Sequence, residues 1–168
     1  MLDAVVVGAG PTGLACGTEL KRRGLQCALF DKGCLTNSLY HYPTNMTFFT
    51  TPELLEIGEL PMTSLGEKPV RGEALKYYRR VADHYGLDIH QYERVTGFEG
   101  SDGAFTVATE DRHGVRQSYA ARKVILICRM TIPVIPRTMI PATMILTEGM
   151  TRAILVGEAT ISRMIARS

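Results

Sequence analysis

The chain of 168 residues is 45% hydrophobic and 21% charged, with a formal net charge of +2. That is enough apolar material for one globular core, and too even a charge to argue for nucleic acid or an acidic membrane surface as partner. No apolar run approaches the roughly 20 residues of a membrane-spanning helix, and a strand pattern starting at Leu2 leaves no room for a cleavable leader, so cytoplasmic residence is expected.

The first expected strand is Asp3 to Val7, an apolar run typical of a strand buried on both faces. It enters Gly8-Ala9-Gly10-Pro11-Thr12-Gly13, three glycines spaced G-x-G-x-x-G. Gly8 permits a tight turn, Gly10 lets backbone approach a pyrophosphate, and Gly13 allows close packing of the following helix. Pro11 suits a first helical turn, and free N–H groups there hold phosphate. The helix is expected to reach about Arg23, with Gly13, Cys16, Gly17 and Leu20 as a small-residue face, and Gly24 as its stop. A second strand, Gln26 to Phe30, ends on Asp31, whose carboxylate accepts hydrogen bonds from both hydroxyls of an adenosine ribose. It also repels a 2′-phosphate, which favours FAD or NAD over NADP. Together these parts form a dinucleotide-binding βαβ unit.

Residues 33–70 carry little regular pattern but many aromatic and hydroxyl side chains. Tyr40, Tyr42, Phe48 and Phe49 are placed to wall a planar ring, with Asn37, Ser38 and Thr47 at its polar edge. The competing expectation is that the aromatics pack beneath the loop and the hydroxyls cap turns. His41 has no visible partner and reads as merely polar. A core-packing helix follows over Arg71 to Tyr85, with a stripe of Ala74, Leu75, Tyr78, Val81, Ala82 and Tyr85. Leu87 to Gln91 is a short strand extending the parallel sheet. Ala104 to Thr109, a turn at Arg112-His113-Gly114, and Val115 to Ala120 read as a hairpin; Ala121 to Cys128 reads as a separate buried strand returning to the main sheet. The fold class is therefore α/β: a Rossmann-like parallel sheet with a β-hairpin or meander insertion.

Four cysteines stand at 16, 27, 34 and 128, and none forms the C-x-x-C pair of a dithiol centre or a zinc knuckle. Cys16 and Cys27 read as small core residues, Cys34 as a loop thiol. No metal site is expected.

This order of parts resembles the FAD domain of thioredoxin-reductase-like flavoproteins. The loop Asn37-Ser-Leu-Tyr-His-Tyr-Pro-Thr-Asn-Met-Thr-Phe-Phe49, with Leu55-Glu-Ile-Gly-Glu-Leu-Pro61 and Lys68-Pro-Val-Arg-Gly-Glu-Ala-Leu-Lys-Tyr-Tyr-Arg79, is similar to the bacillithiol-disulfide reductase family, over residues 1 to about 127. That resemblance implies FAD on this domain, hydride from NADPH on a second Rossmann domain, and a small-molecule disulfide as acceptor. It implies that Gly8, Gly10 and Gly13 hold the FAD pyrophosphate, Asp31 the ribose, and Val95 adenine through its backbone; Ala9, Pro11, Thr12, Lys32, Ser38, Tyr40, Thr47 and Cys128 complete the candidate cofactor-binding set.

Three departures follow. Thr12 occupies the place of the family's proposed reactive cysteine, and a hydroxyl forms no mixed disulfide. The returning strand ends Ile127-Cys128-Arg129 in place of Ala-Thr-Gly. After that the family pattern stops: the segment 129–168 begins with a mixture of Met, Ile, Thr, Pro and Arg and has no second G-x-G-x-x-G. Arg152 to Glu158 faintly echoes the run that closes FAD sites in such proteins; otherwise the tail is foreign to the family. The domains are thus 1–128, FAD-binding, and 129–168, an atypical tail either completing the site or non-native. The functional expectation is an FAD-binding oxidoreductase domain without its NADPH domain; no residue stands out as catalytic acid, base or nucleophile. A non-catalytic, vestigial dinucleotide-binding domain is the alternative, direct NAD binding a third, and a homodimer an admissible assembly.

Overall fold

A computed structural model describes residues 1–127. Cys128, the 129–168 segment and its 152–158 run lie outside the described residues.

Strand β1 (Leu2–Val7) leads into helix α1 (Pro11–Arg22) and strand β2 (Cys27–Asp31). A short helix α2 (Asn37–Tyr40), a 3-10 turn (Pro52–Leu55) and helix α3 (Arg71–His84) follow, then β3 (Asp88–Gln91), β4 (Glu93–Ser101), β5 (Ala104–Asp111) and β6 (Arg116–Leu126). All six strands share one sheet in the order β3-β2-β1-β6-β5-β4. β1 pairs in parallel with β2 and with residues 121–126 of β6, and β2 pairs in parallel with β3. β4, β5 and β6 form an antiparallel meander.

Strand alternation splits the core into two layers. Ala4 and Val6 of β1 and Leu29 of β2 face α1 and α3, where Leu14, Cys16, Ala74, Tyr78 and Val81 complete one layer. Val5, Val7, Ala28 and Phe30 face the other way, onto Val95, Phe105, Val107 and Leu126. Helix α1 ends as its glycine predicts: Gly24 takes φ +74, its N–H donates to Lys21 (2.9 Å), and the Leu25 N–H donates to Leu20 (3.0 Å). A side chain at Gly17 would meet Leu29 within 2.9 Å, so the small-residue face lets α1 lie close on the sheet.

Four expectations are corrected. Residues 115–127 do not make two strands: β6 is one strand of 11 residues whose first half closes the meander and whose second half joins β1. β4 was missed as a strand; it pairs with β5 through a bulge between Val95 and Gly97, which interrupts the alternation a sequence reading relies on. The 33–70 stretch is not wholly irregular, since it holds α2 and the 3-10 turn. On α3 the buried stripe includes Tyr77, whereas Leu75 and Tyr85 are half-buried. The Tyr77 hydroxyl accepts the Ile57 N–H at 2.7 Å and donates to the Leu60 carbonyl at 2.9 Å, tying the irregular stretch to α3.

The meander is fastened to the parallel half by a buried carboxylate. Glu93, 7% exposed, accepts from the Thr109 hydroxyl at 2.5 Å and the Tyr119 hydroxyl at 3.1 Å, while its other oxygen meets His90 Nδ1 at 3.0 Å. His90 stacks on Phe30 at 4.5 Å. One carboxylate thus joins β3, β4, β5 and β6. Burial first, and then the hydrogen bond to Glu93, push the Tyr119 phenol from 10.0 up to about 12. The folded chain keeps this proton at pH values where the unfolded chain has lost it, so stability is intact below pH 10 and falls as pH rises toward 12. Urea midpoints followed from pH 9 to 12 are expected to fall less steeply in Tyr119→Phe than in the parent chain; equal slopes would show that Tyr119 carries none of the dependence.

Candidate functional site

The site lies at the carboxyl ends of β1, β2 and β3, where open α/β sheets place their ligands. Gly8 turns the chain out of β1 at φ +111 and its N–H donates to Phe30 at 2.8 Å. Helix α1 then starts directly over that turn. A Cβ on Gly13 would stand 1.9 Å from the Gly8 carbonyl oxygen, so only glycine allows this approach. At Gly10 the corresponding Cβ position has no atom within 4 Å. Gly10 caps α1 without a side chain, Pro11 occupies the first turn, and that turn holds no acidic residue. The first N–H groups of α1 thus have no side-chain cap, and they lie with the positive end of the helix dipole next to the open Cβ position of Gly10.

Asp31 is half-exposed at the end of β2. Its Oδ2 accepts the Ala9 N–H at 2.8 Å and its Oδ1 accepts the Gly33 N–H at 2.9 Å. The Ala9 carbonyl in turn accepts the Thr36 N–H at 3.0 Å. Thr36 is buried and left-handed at φ +52, an unfavourable conformation for a β-branched residue and one that adjoins the glycine loop. Two further residues hold this rim: Gln91 Oε1 accepts the Leu35 N–H at 2.8 Å, and the Tyr92 N–H donates to Gly33 at 3.0 Å, with Tyr92 at φ +57. Thr36, Gln91 and Tyr92 were not found by sequence reasoning. Residue type opposes the backbone of Thr36 and Tyr92, and no spacing pairs Gln91 with Leu35.

The structure thus brings together Gly8, Ala9, Gly10, Gly13 and Asp31, with Pro11 and Thr12 in the first turn of α1 and Lys32 exposed beside Asp31. Ser38 and Tyr40 are exposed on α2, which starts just after Thr36. Tyr40 lies under the Arg71 guanidinium, 5.9 Å from ring centroid, and its carbonyl accepts from Arg71 at 2.5 Å. Thr47 sits farther along, bridged to Val70. The loop aromatics divide: Tyr42 and Phe48 pack against the core, whereas Phe49 is 90% exposed. Val95 buries its side chain in the meander layer on edge strand β4, leaving only backbone to meet a ligand. Cys16 and Cys27 are buried, and burial first raises both thiols, Cys16 to about 12. Cys34 is half-buried, with Sγ 3.6 Å from Asn37 Oδ1. Among the described residues no group of His, Cys, Asp and Glu could hold a metal ion, and no helix is long and apolar enough to cross a membrane.

A parallel sheet with a glycine turn beneath an uncapped helix, an acid at the end of β2 and an antiparallel meander define a dinucleotide-type oxidoreductase domain. Residues 5–141 match the pyridine nucleotide-disulphide oxidoreductase family, and the chain belongs to that family. Within it the chain is 45% identical over 78 residues to bacilliredoxin reductase Bdr of Bacillus subtilis (strain 168), an alignment covering 46% of this chain and 24% of that protein. Bacillithiol disulfide reductase Bdr (YpdA) from Bacillus cereus superposes with a TM-score of 0.72 at 35% identity, over 74% of this chain and 39% of that one. A flavin-containing monooxygenase from Stenotrophomonas maltophilia superposes with a TM-score of 0.63 at 27% identity, over 74% and 37%. The chain is therefore an oxidoreductase-family domain resembling bacillithiol disulfide reductase, and the match spans well under half the length of these relatives.

The two glycines separate packing from access. Gly13→Ala is expected to destabilise by about 1–3 kcal/mol, since the atom it strikes is backbone. Gly10→Ala, at φ −77 with open space around it, is expected to stay within about 0.5 kcal/mol of the parent. Denaturant unfolding of both variants checks the contrast; a well-tolerated Gly13→Ala would remove the packing argument.

Proposed function

We propose that this chain is the FAD-holding domain of a bacillithiol-disulfide-reductase-like flavoprotein. The observation that carries the reading is the open space at the uncapped start of α1, above Gly10 and beside the Asp31 carboxylate. Those residues fit the group. Gly10 and the first N–H groups of α1, including that of Thr12, would cradle the pyrophosphate, and Asp31 has lone pairs left for the ribose hydroxyls. Lys32 would lie on the solvent side of the adenosine, with Val95 offering backbone to adenine. Tyr40, Ser38 and Thr47 would border the flavin end, where the exposed Phe49 supplies apolar surface. Bound flavin supplies hydride and electron transfer; this chain's residues bind, orient and exclude water.

In this reading NADPH and a small disulfide are the whole enzyme's substrates, and neither Thr12 nor the two buried cysteines contribute a thiol relay. Thr12 offers a hydroxyl in the first turn of α1. Cys16 and Cys27 are held protonated inside the core at neutral pH. That chemistry favours one second reading, a dinucleotide-binding domain without disulfide turnover.

Both readings meet in one preparation. The purified chain is expected to carry or take up FAD, seen as a flavin absorption band that remains after gel filtration, with Gly10→Ala binding it more weakly although folded. A colourless chain that takes up no added FAD would sink the first reading. With FAD bound, sustained NADPH oxidation in the presence of a disulfide rejects the second reading.

A further inference from the structure

We propose that Asp31 is a positioning residue that sets the glycine loop before a nucleotide arrives, in addition to meeting the ribose. The inference rests on the adenine-dinucleotide reading above and concerns how that site is made. An acid serving only the ribose would point its oxygens at the ligand. Here both oxygens already accept backbone N–H groups, from Ala9 on the loop (2.8 Å) and from Gly33 on its own connection (2.9 Å). Each oxygen keeps a further lone pair, so bracing the loop and accepting a ribose hydroxyl are compatible.

The rest of the rim has the same purpose. Ala9 is held on both sides, its N–H by Asp31 and its carbonyl by the Thr36 N–H at 3.0 Å. Gly33 is anchored in turn by Asp31 at its N–H and by Tyr92 at its carbonyl. Asp31 thus bonds both the glycine loop and the β2–α2 connection. An asparagine there would keep one acceptor oxygen but turn an N–H donor toward the other amide, so one charge-assisted bond is lost and two donors face each other. The loop would then be set only when a ligand sets it, and every ligand using the loop would bind more weakly, whether or not it has ribose hydroxyls.

The test compares ADP with 2′,3′-dideoxy-ADP, by titration calorimetry on the full chain and on Asp31→Asn. The proposal expects the substitution to weaken both ligands by about tenfold or more, the scale of a lost charged hydrogen bond. If the loss is confined to ADP and disappears with the dideoxy analogue, Asp31 reads only the ribose and the proposal is overturned. If the parent chain binds neither ligand, the dinucleotide reading itself fails and the claim about binding falls with it. A measurement independent of ligand and of the variant's folding is amide hydrogen exchange in the nucleotide-free parent: the Ala9 N–H is expected to be protected, and exchange at the rate of an open amide would overturn the brace.

Discussion

The site depends on the distance between Gly13 and the Gly8 carbonyl. A Cβ in that gap would lie 1.9 Å from the oxygen, far inside any tolerable contact, and the oxygen belongs to a turn that is itself hydrogen-bonded into β2. Neither partner can retreat cheaply. Because the approach is allowed, α1 begins directly over the end of β1 and its first N–H groups converge on the space beside Gly10. The dipole contribution at a helix start is modest, about 0.3–1 kcal/mol. Its use to a ligand therefore comes from several donors being held at one place.

What holds them is largely the segment that looks least regular. The β2–α2 connection reaches back to Ala9 through Asp31 and Thr36, and the following thirty or so residues are tied to α3 by polar groups as well as by apolar burial. Tyr77 bonds the 57–60 turn, the Tyr78 hydroxyl donates to Leu55 at 3.2 Å, the Tyr85 hydroxyl donates to Gly58, and Arg71 takes the carbonyls of Tyr40 and Tyr42. Single neutral hydrogen bonds contribute about 1 kcal/mol. A run of them, each to a different backbone carbonyl, specifies a path for chain that has no periodicity of its own.

This explains which parts were legible in the sequence. The β1–α1–β2 unit was read correctly because each step has a local cause: an apolar run, glycines where no Cβ fits, a proline in the first turn and a glycine stop. The β5–β6 hairpin was likewise visible, but not its extent, since Phe105 pairs with Ala121, which the sequence reading put in a separate strand. β4 was not, because glycines at 97 and 100 and the bulge at Thr96 break its alternation. Tyr77 was passed over because its value lies in a hydroxyl that meets backbone twenty residues away. Thr36 ran against its own propensity, and the double bond made by Asp31 exists only once β1 and β2 are side by side. Local chemistry wrote the fold's nucleotide unit, whereas long-range pairings finish the rim around it.

The shared strand β6 has a consequence for how the chain comes together. β1 receives β2 from nearby sequence, but its other neighbour is residues 121–126, so the innermost pairing of the sheet spans almost the whole described chain. Closing so long a loop has to be entropically met before the contact repays it. A chain emerging from the ribosome can form the glycine turn and α1 early, yet β1 keeps one open edge until β6 appears. Over that interval the free edge of this apolar strand is an open template. The glycine loop precedes β6 in the chain and is made secure only when β6 arrives.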